Sequence, residues 1–205
     1  MIKMSPLNPT ATPFLPAVTS LPTLSDAALT STLDLLFEPA PELHELALPN
    51  LRTLSFNSYN DLINTLREQL LAIASSIDQD EKDAEVARKP LHAILGSHPR
   101  LGEPKKETLS KQSANEQGHL LANTEEAEML KQLNREYEDK FPGLRYVVFV
   151  NGRPRTVIMD DMRKRIARGD IREEEREAIN AMCDIAIDRA TKLLKSSQEA
   201  LESST

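Results

Sequence analysis

The 205-residue chain is long enough for one domain with a proper core and too short for two. Its net charge of −7 argues against a nucleic-acid binder held by phosphate contacts. The single cysteine, Cys183, excludes an intramolecular disulfide framework and any multi-cysteine zinc site.

Only 4% of the residues are aromatic and none is tryptophan, so the core must be built from Leu, Ile, Ala and Val. That composition suits packed helices. No apolar run approaches membrane-spanning length, and no basic-then-apolar signal peptide opens the chain. The expectation is a soluble, cytoplasmic protein with no membrane partner. A peroxisomal location stays open, although the chain does not end in Ser-Lys-Leu.

Residues 1–22 carry Pro6, Pro9, Pro13, Pro16 and Pro22, a density that propagates neither helix nor sheet. They read as an extended, poorly ordered leader, with packing as an arm as the alternative, ahead of a domain over 23–200. From Ser25, a candidate N-cap, Leu29, Leu33, Leu36 and Phe37 recur at helical spacing. A second helix is predicted over 58–75 on the stripe Leu62, Leu66, Leu70 and Ile73, and a third over about 80–96, kinked or restarted at Pro90. Residues 102–113 read as a loop, and helical pattern resumes over 114–139 before Pro142-Gly143. Residues 146–150 form the one strongly extended run. Two more helices follow, over 156–167 and 172–195. The predicted class is all-α: a single-domain helical bundle with one short extended segment near 146–150.

His98 sits between a glycine helix stop at Gly96 and Pro99, which biases it towards extended geometry. An ordinary imidazole pKa near 6.5 suits acid–base work, and a capping or surface role is the plainer alternative. His44, His92 and His119 show no better local pattern. No H-E-x-x-H occurs, so no metal site is expected. Ser113 and Glu116 have capping-box spacing, and a helix N-terminus there would also suit an anionic ligand, with Gln117 beside it. Arg189 falls within the apolar stripe of Met182, Ile185, Ala186 and Leu193, so it must be at least partly buried and needs an anion. That anion is either a ligand or a carboxylate of a facing helix. Residues 146–150 are most simply core, yet in a helical protein their backbone groups need partners, from the chain or from a ligand. Arg163, Lys164, Arg165 and Arg168 read as a solvated helix face.

Three ordered motifs together resemble a known family. They are His98-Pro99-Arg100-Leu101-Gly102; Ser113, Glu116 and Gln117 in an S-x-x-E-Q pattern; and Leu133, Asn134, Tyr137, Lys140 and Phe141, followed by the extended run and Gly152-Arg153. The chain resembles the 2-oxo-4-hydroxy-4-carboxy-5-ureidoimidazoline (OHCU) decarboxylase family over roughly residues 24–195. The stretch Pro142-Gly143-Leu144-Arg145 is about one residue longer than the family pattern.

The resemblance implies an all-helical, cofactor-free, homodimeric enzyme of urate degradation that releases CO₂ and yields (S)-allantoin from a small anionic substrate. It further implies His98 and Glu116 as catalytic residues. Pro99, Ser113, Gln117, Arg189 and the segment Tyr146, Val147, Val148, Phe149 and Val150 would bind substrate. Two other readings stay open: a helical adaptor without catalysis, and an enzyme acting on a related ureido heterocycle.

Overall fold

Ser25 does cap the first helix: its hydroxyl accepts a hydrogen bond from the Ala28 amide at 3.3 Å. The computed structural model describes residues 14–79, 84–102 and 124–202. Among these lie a 3₁₀ turn, Val18–Thr23, and the helices α1 (Asp26–Leu36), α2 (Pro41–Thr53), α3 (Tyr59–Gln79), α4 (Ala84–Leu95), α5 (Thr124–Lys140), α6 (Arg155–Arg168) and α7 (Ile171–Glu202). The described residues contain no strand, so the class is all-α as expected. None of these helices is long and apolar enough to cross a membrane.

Helix α2 was not anticipated, because Pro39, Pro41 and Pro49 argue against one. Pro41 occupies the first turn, where a missing N–H costs nothing. Pro49 lies inside the helix and forfeits one bond, which burial of Leu43, Ala47 and Leu51 on a single stripe offsets. Burial at about 1.5–3 kcal/mol for each leucine makes that sign plausible.

Helices α3 and α7 form the spine of the bundle and pack along each other, with α4 against both and α1 against α7. Leu62, Ile63, Leu66 and Leu70 of α3 meet a core that includes Ala178, Ile179, Met182 and Ala186 of α7. Arg67 donates to Asp184 at 2.7 Å at the edge of this seam. Helices begin near the expected 25, 58, 156 and 172, the starts expected near 80 and at 114 lie outside the described residues, and the last helix runs to Glu202, past the expected 195. Gly169, in the left-handed region at φ 64°, ends α6 by presenting its amide to the Arg165 carbonyl.

Of the proline-rich stretch, residues 1–13 lie outside the described part, and residues 14–22 pack as an arm. Leu15 and Leu21 are buried, the Tyr59 hydroxyl donates to the Pro16 carbonyl at 2.9 Å, and Arg52 donates to the Pro22 carbonyl at 3.1 Å. Proline forbids a regular ladder here but leaves its carbonyls and flanking leucines free to dock. The loop and helix expected over 103–123 lie outside the described residues.

Candidate functional site

The end of α4 is the structural origin of the site. Gly96 breaks the helix where the chain crosses residues 142–144 at close quarters: a Cβ on Gly96 would lie 2.8 Å from the Gly143 carbonyl oxygen. Only glycine lets the two backbones approach this far. The chain then turns inward at His98. The following loop is fastened to α5, with Asn134 donating to the Leu101 carbonyl at 2.9 Å and Arg100 forming a bidentate pair with Glu138 at 2.6 Å. Arg145 reaches the His98 carbonyl at 3.5 Å. The Leu133–Asn134–Tyr137–Phe141 motif is thus a buried face that holds the histidine loop.

His98 is 5% exposed, and neither ring nitrogen has a hydrogen-bond partner among the described residues. Burial, reinforced by the charge of Arg189, lowers its pKa from 6.5 to about 3. The imidazole is therefore neutral at physiological pH, with a lone pair available. A buried polar atom without a partner costs about 1–3 kcal/mol, and such atoms concentrate where a ligand completes the bonding.

Arg189 is brought to the same region from α7. It is 1% exposed, and its guanidinium donates to Glu38 at 2.9 Å and to the Leu36 carbonyl at 3.3 Å. Glu38 is itself buried, in the short junction between α1 and α2. Sequence reasoning missed Glu38. Its only local signal is a lone acidic residue flanked by Phe37 and Pro39 between two apolar helices.

The extended segment runs between α5 and α6 and pairs with no strand among the described residues. Its carbonyls are held by arginines instead. Arg165 donates to the Val147 carbonyl at 3.2 Å, and Arg153 donates to the carbonyls of Phe149 and Val150, the latter at 3.3 Å. Among the described residues, no acceptor takes the backbone amides of Tyr146, Val147, Val148, Phe149 or Val150. The side chain of Tyr146 turns away into the core, where its hydroxyl donates to Asp161 at 2.6 Å and its ring meets Tyr137 edge-on. Burial, with the Asp161 carboxylate beside it, raises the pKa of that phenol.

Arg165 corrects the sequence reading of a solvated basic face. It is 5% exposed, pairs with the fully buried Glu174 at 2.9 and 3.1 Å through Nε, and lies 4.8 Å over the Tyr146 ring. Tyr137 and Arg168 also donate to Glu174. The signal was legible: Arg165 continues the α6 stripe of Ile158 and Met162, just as Arg189 sits on its own apolar stripe.

Arg189 lies near enough to His98 for its charge to act on the imidazole, Pro99 is half-buried next to the histidine in the chain, and Val148, Phe149 and Val150 are half-buried along the extended segment. Ser113, Glu116 and Gln117 lie outside the described residues. A separate open groove is lined by Arg88, His92, Gly96, Ser97 and Arg145, and His98 does not line it. Among the described residues, no three His, Cys, Asp or Glu side chains group closely enough to hold a metal ion.

A buried neutral imidazole can accept a proton, backbone amides without acceptors among the described residues can bind a carbonyl-rich ring, and the Arg189 guanidinium, already paired with Glu38, adds positive charge nearby. Compared with known families, residues 22–191 match the family model described as OHCU decarboxylase. No curated protein and no solved structure matches the chain.

Proposed function

The chain belongs to the OHCU decarboxylase family, carboxy-lyases of urate degradation, and on that premise we propose that it converts OHCU to (S)-allantoin and CO₂ with His98 as the general acid–base. The observation that carries this reading is the buried, neutral imidazole of His98, without a hydrogen-bond partner among the described residues and under the influence of the Arg189 charge.

The chemistry follows from the substrate. The carbon that loses CO₂ bears a hydroxyl and adjoins the ring C=N carbon that carries the ureido group. His98 takes the hydroxyl proton as the C–CO₂ bond breaks. The bonding pair moves into the ring and the C=N nitrogen, leaving a delocalised anion, so the ring itself serves as the electron sink. Collapse of the resulting enolate to the carbonyl places a new C–H bond on the ureido-bearing carbon. His98, now imidazolium, returns its proton to one face there, which sets the (S) configuration. The ring nitrogen that received the bonding pair takes a further proton from solvent, so one substrate anion and one proton give neutral allantoin and CO₂.

Arg189 would hold the anionic substrate and stabilise the charge as it spreads into the ring. A neutral His98 is the correct starting form for a base, and the Arg189 charge keeps it so until substrate anion arrives. The amides of the 146–150 segment would fix the ring by donating hydrogen bonds to its carbonyl oxygens, with Pro99 forming the wall beside the histidine. Glu116 would orient the imidazole or hold the ureido N–H groups, supported by Ser113 and Gln117.

The test generates the unstable substrate in situ from urate with urate oxidase and hydroxyisourate hydrolase, then follows circular dichroism. Wild type should give a rapid (S)-allantoin signal that His98→Ala abolishes while its far-ultraviolet spectrum stays unchanged. Normal stereospecific turnover by His98→Ala sinks the assignment of the histidine. Slow racemic decay with wild type sinks the reaction. We also read the protein as a homodimer, as the family resemblance implies. Sedimentation velocity at micromolar concentration should then show twice the chain mass of 22.9 kDa, and a lone monomer would contradict it.

A further inference from the structure

We propose that Arg165 and Arg153 are positioning residues that aim backbone amides of the 146–150 segment at the substrate. The inference rests on the reading of that segment as a substrate-binding strip. It adds two residues to which sequence reasoning gave no such role.

An isolated extended segment has nothing to fix the rotation of its peptide planes. In a sheet the neighbouring strand does so; here no strand exists among the described residues. The two guanidinium groups take over that task. Arg165 holds the Val147 carbonyl at 3.2 Å, and Arg153 holds the Phe149 carbonyl. No peptide bond among the described residues is cis, and in a trans peptide the C=O and the following N–H point in opposite directions. Fixing the Val147 oxygen therefore fixes the Val148 N–H on the other side of the chain, and fixing the Phe149 oxygen does the same for the Val150 N–H. Those amides are among the ones with no acceptor in the described residues.

The anchoring of Arg165 is unusually rigid for a long side chain. Glu174 grips its Nε through both carboxylate oxygens, the Tyr146 ring lies beneath it, and Glu174 is itself held by Tyr137 and Arg168. A network that costs desolvation of several charged groups does more than stabilise when its free donor ends on a carbonyl of the binding strip. Arg153 differs: it is exposed, and its own amide also donates to the Val150 carbonyl at 2.9 Å, closing a turn around Asn151-Gly152.

The experiment measures kcat, KM and thermal melting for wild type, Arg153→Met, Arg153→Lys and Arg165→Lys, with substrate generated in situ. Arg153 is at the surface, so its variants test the idea without threatening the core. Arg153→Met should raise KM about tenfold, the worth of one well-placed hydrogen bond, with kcat within about twofold and an unchanged melt. Arg153→Lys should recover much of the loss, because an ammonium still reaches the Phe149 carbonyl. Arg165→Lys keeps the charge opposite Glu174 but cannot serve Glu174 and Val147 together, so it should raise KM similarly or more. If Arg165→Lys does not fold, the Arg153 pair decides. Unchanged KM in a folded Arg153→Met, with wild type active, overturns the inference and leaves the reaction standing. An inactive wild type overturns the reaction and this inference with it.

Discussion

Replacing His98 by Gln should remove a specific part of the protein's acid sensitivity. In the folded state burial and Arg189 lower the His98 pKa to about 3, whereas in the unfolded chain it returns to roughly 6.5. As pH falls below 6.5 the unfolded chain takes up a proton that the folded protein refuses, so stability drops as pH falls towards 3 and is unaffected well above 7. Linkage gives a loss of about 2 kcal/mol between pH 7 and pH 5 from this one residue, growing to about 3 kcal/mol by pH 4. Against a typical total of about 5–15 kcal/mol that is a large share. The assay is urea unfolding of wild type and His98→Gln at pH 7 and pH 5. Carboxylates common to both proteins cancel in the comparison. At a urea slope of about 2 kcal/mol per molar, the wild-type midpoint should fall by roughly 1 M more than that of the variant. Equal losses in the two proteins would show that His98 is either solvated or paired in the folded state, and the argument for a dry, neutral base would fail.

Two further outcomes follow from the geometry. The Cys183 thiol is buried, and burial pushes it up to about 12, so Ellman's reagent should leave the native protein unlabelled at neutral pH and react only as the protein opens; immediate stoichiometric labelling contradicts the packing of α7. Gly96→Ala should destabilise by about 2–3 kcal/mol, because its Cβ meets backbone oxygen at 2.8 Å where neither chain can yield cheaply; a calorimetric melt within a degree of wild type would refute that close approach.

Local chemistry carried much of this protein in its sequence. The Ser25 cap, the stripes of α1 and α3, the glycine stops at Gly96 and Gly169 and the all-helical class are properties of short windows, where periodicity and backbone preference act alone. The burial of Arg189 was legible for the same reason, and that of Arg165 was equally present but went unread, because a charged cluster on a helix resembles a solvated face until its apolar neighbours are counted. Helix α2 was hidden by three prolines whose cost depends on which turn they occupy.

Tertiary structure decided what the charged groups do. Glu38 and Arg189 are 151 residues apart, and nothing in either neighbourhood names the other. Arg165 reaches Val147 only because α6 folds back over the strip that precedes it. That the buried His98 ring finds no hydrogen-bond partner among the described residues is likewise a property of packing, since no window of sequence states how much water or how many partners a side chain retains. Ion pairs and desolvation depend on distances set by the whole fold, whereas helices depend on residues three and four apart. The sequence therefore announces its helices and its reactive residue types, and the bundle alone makes one histidine neutral and ties two arginines to the carbonyls of the extended segment.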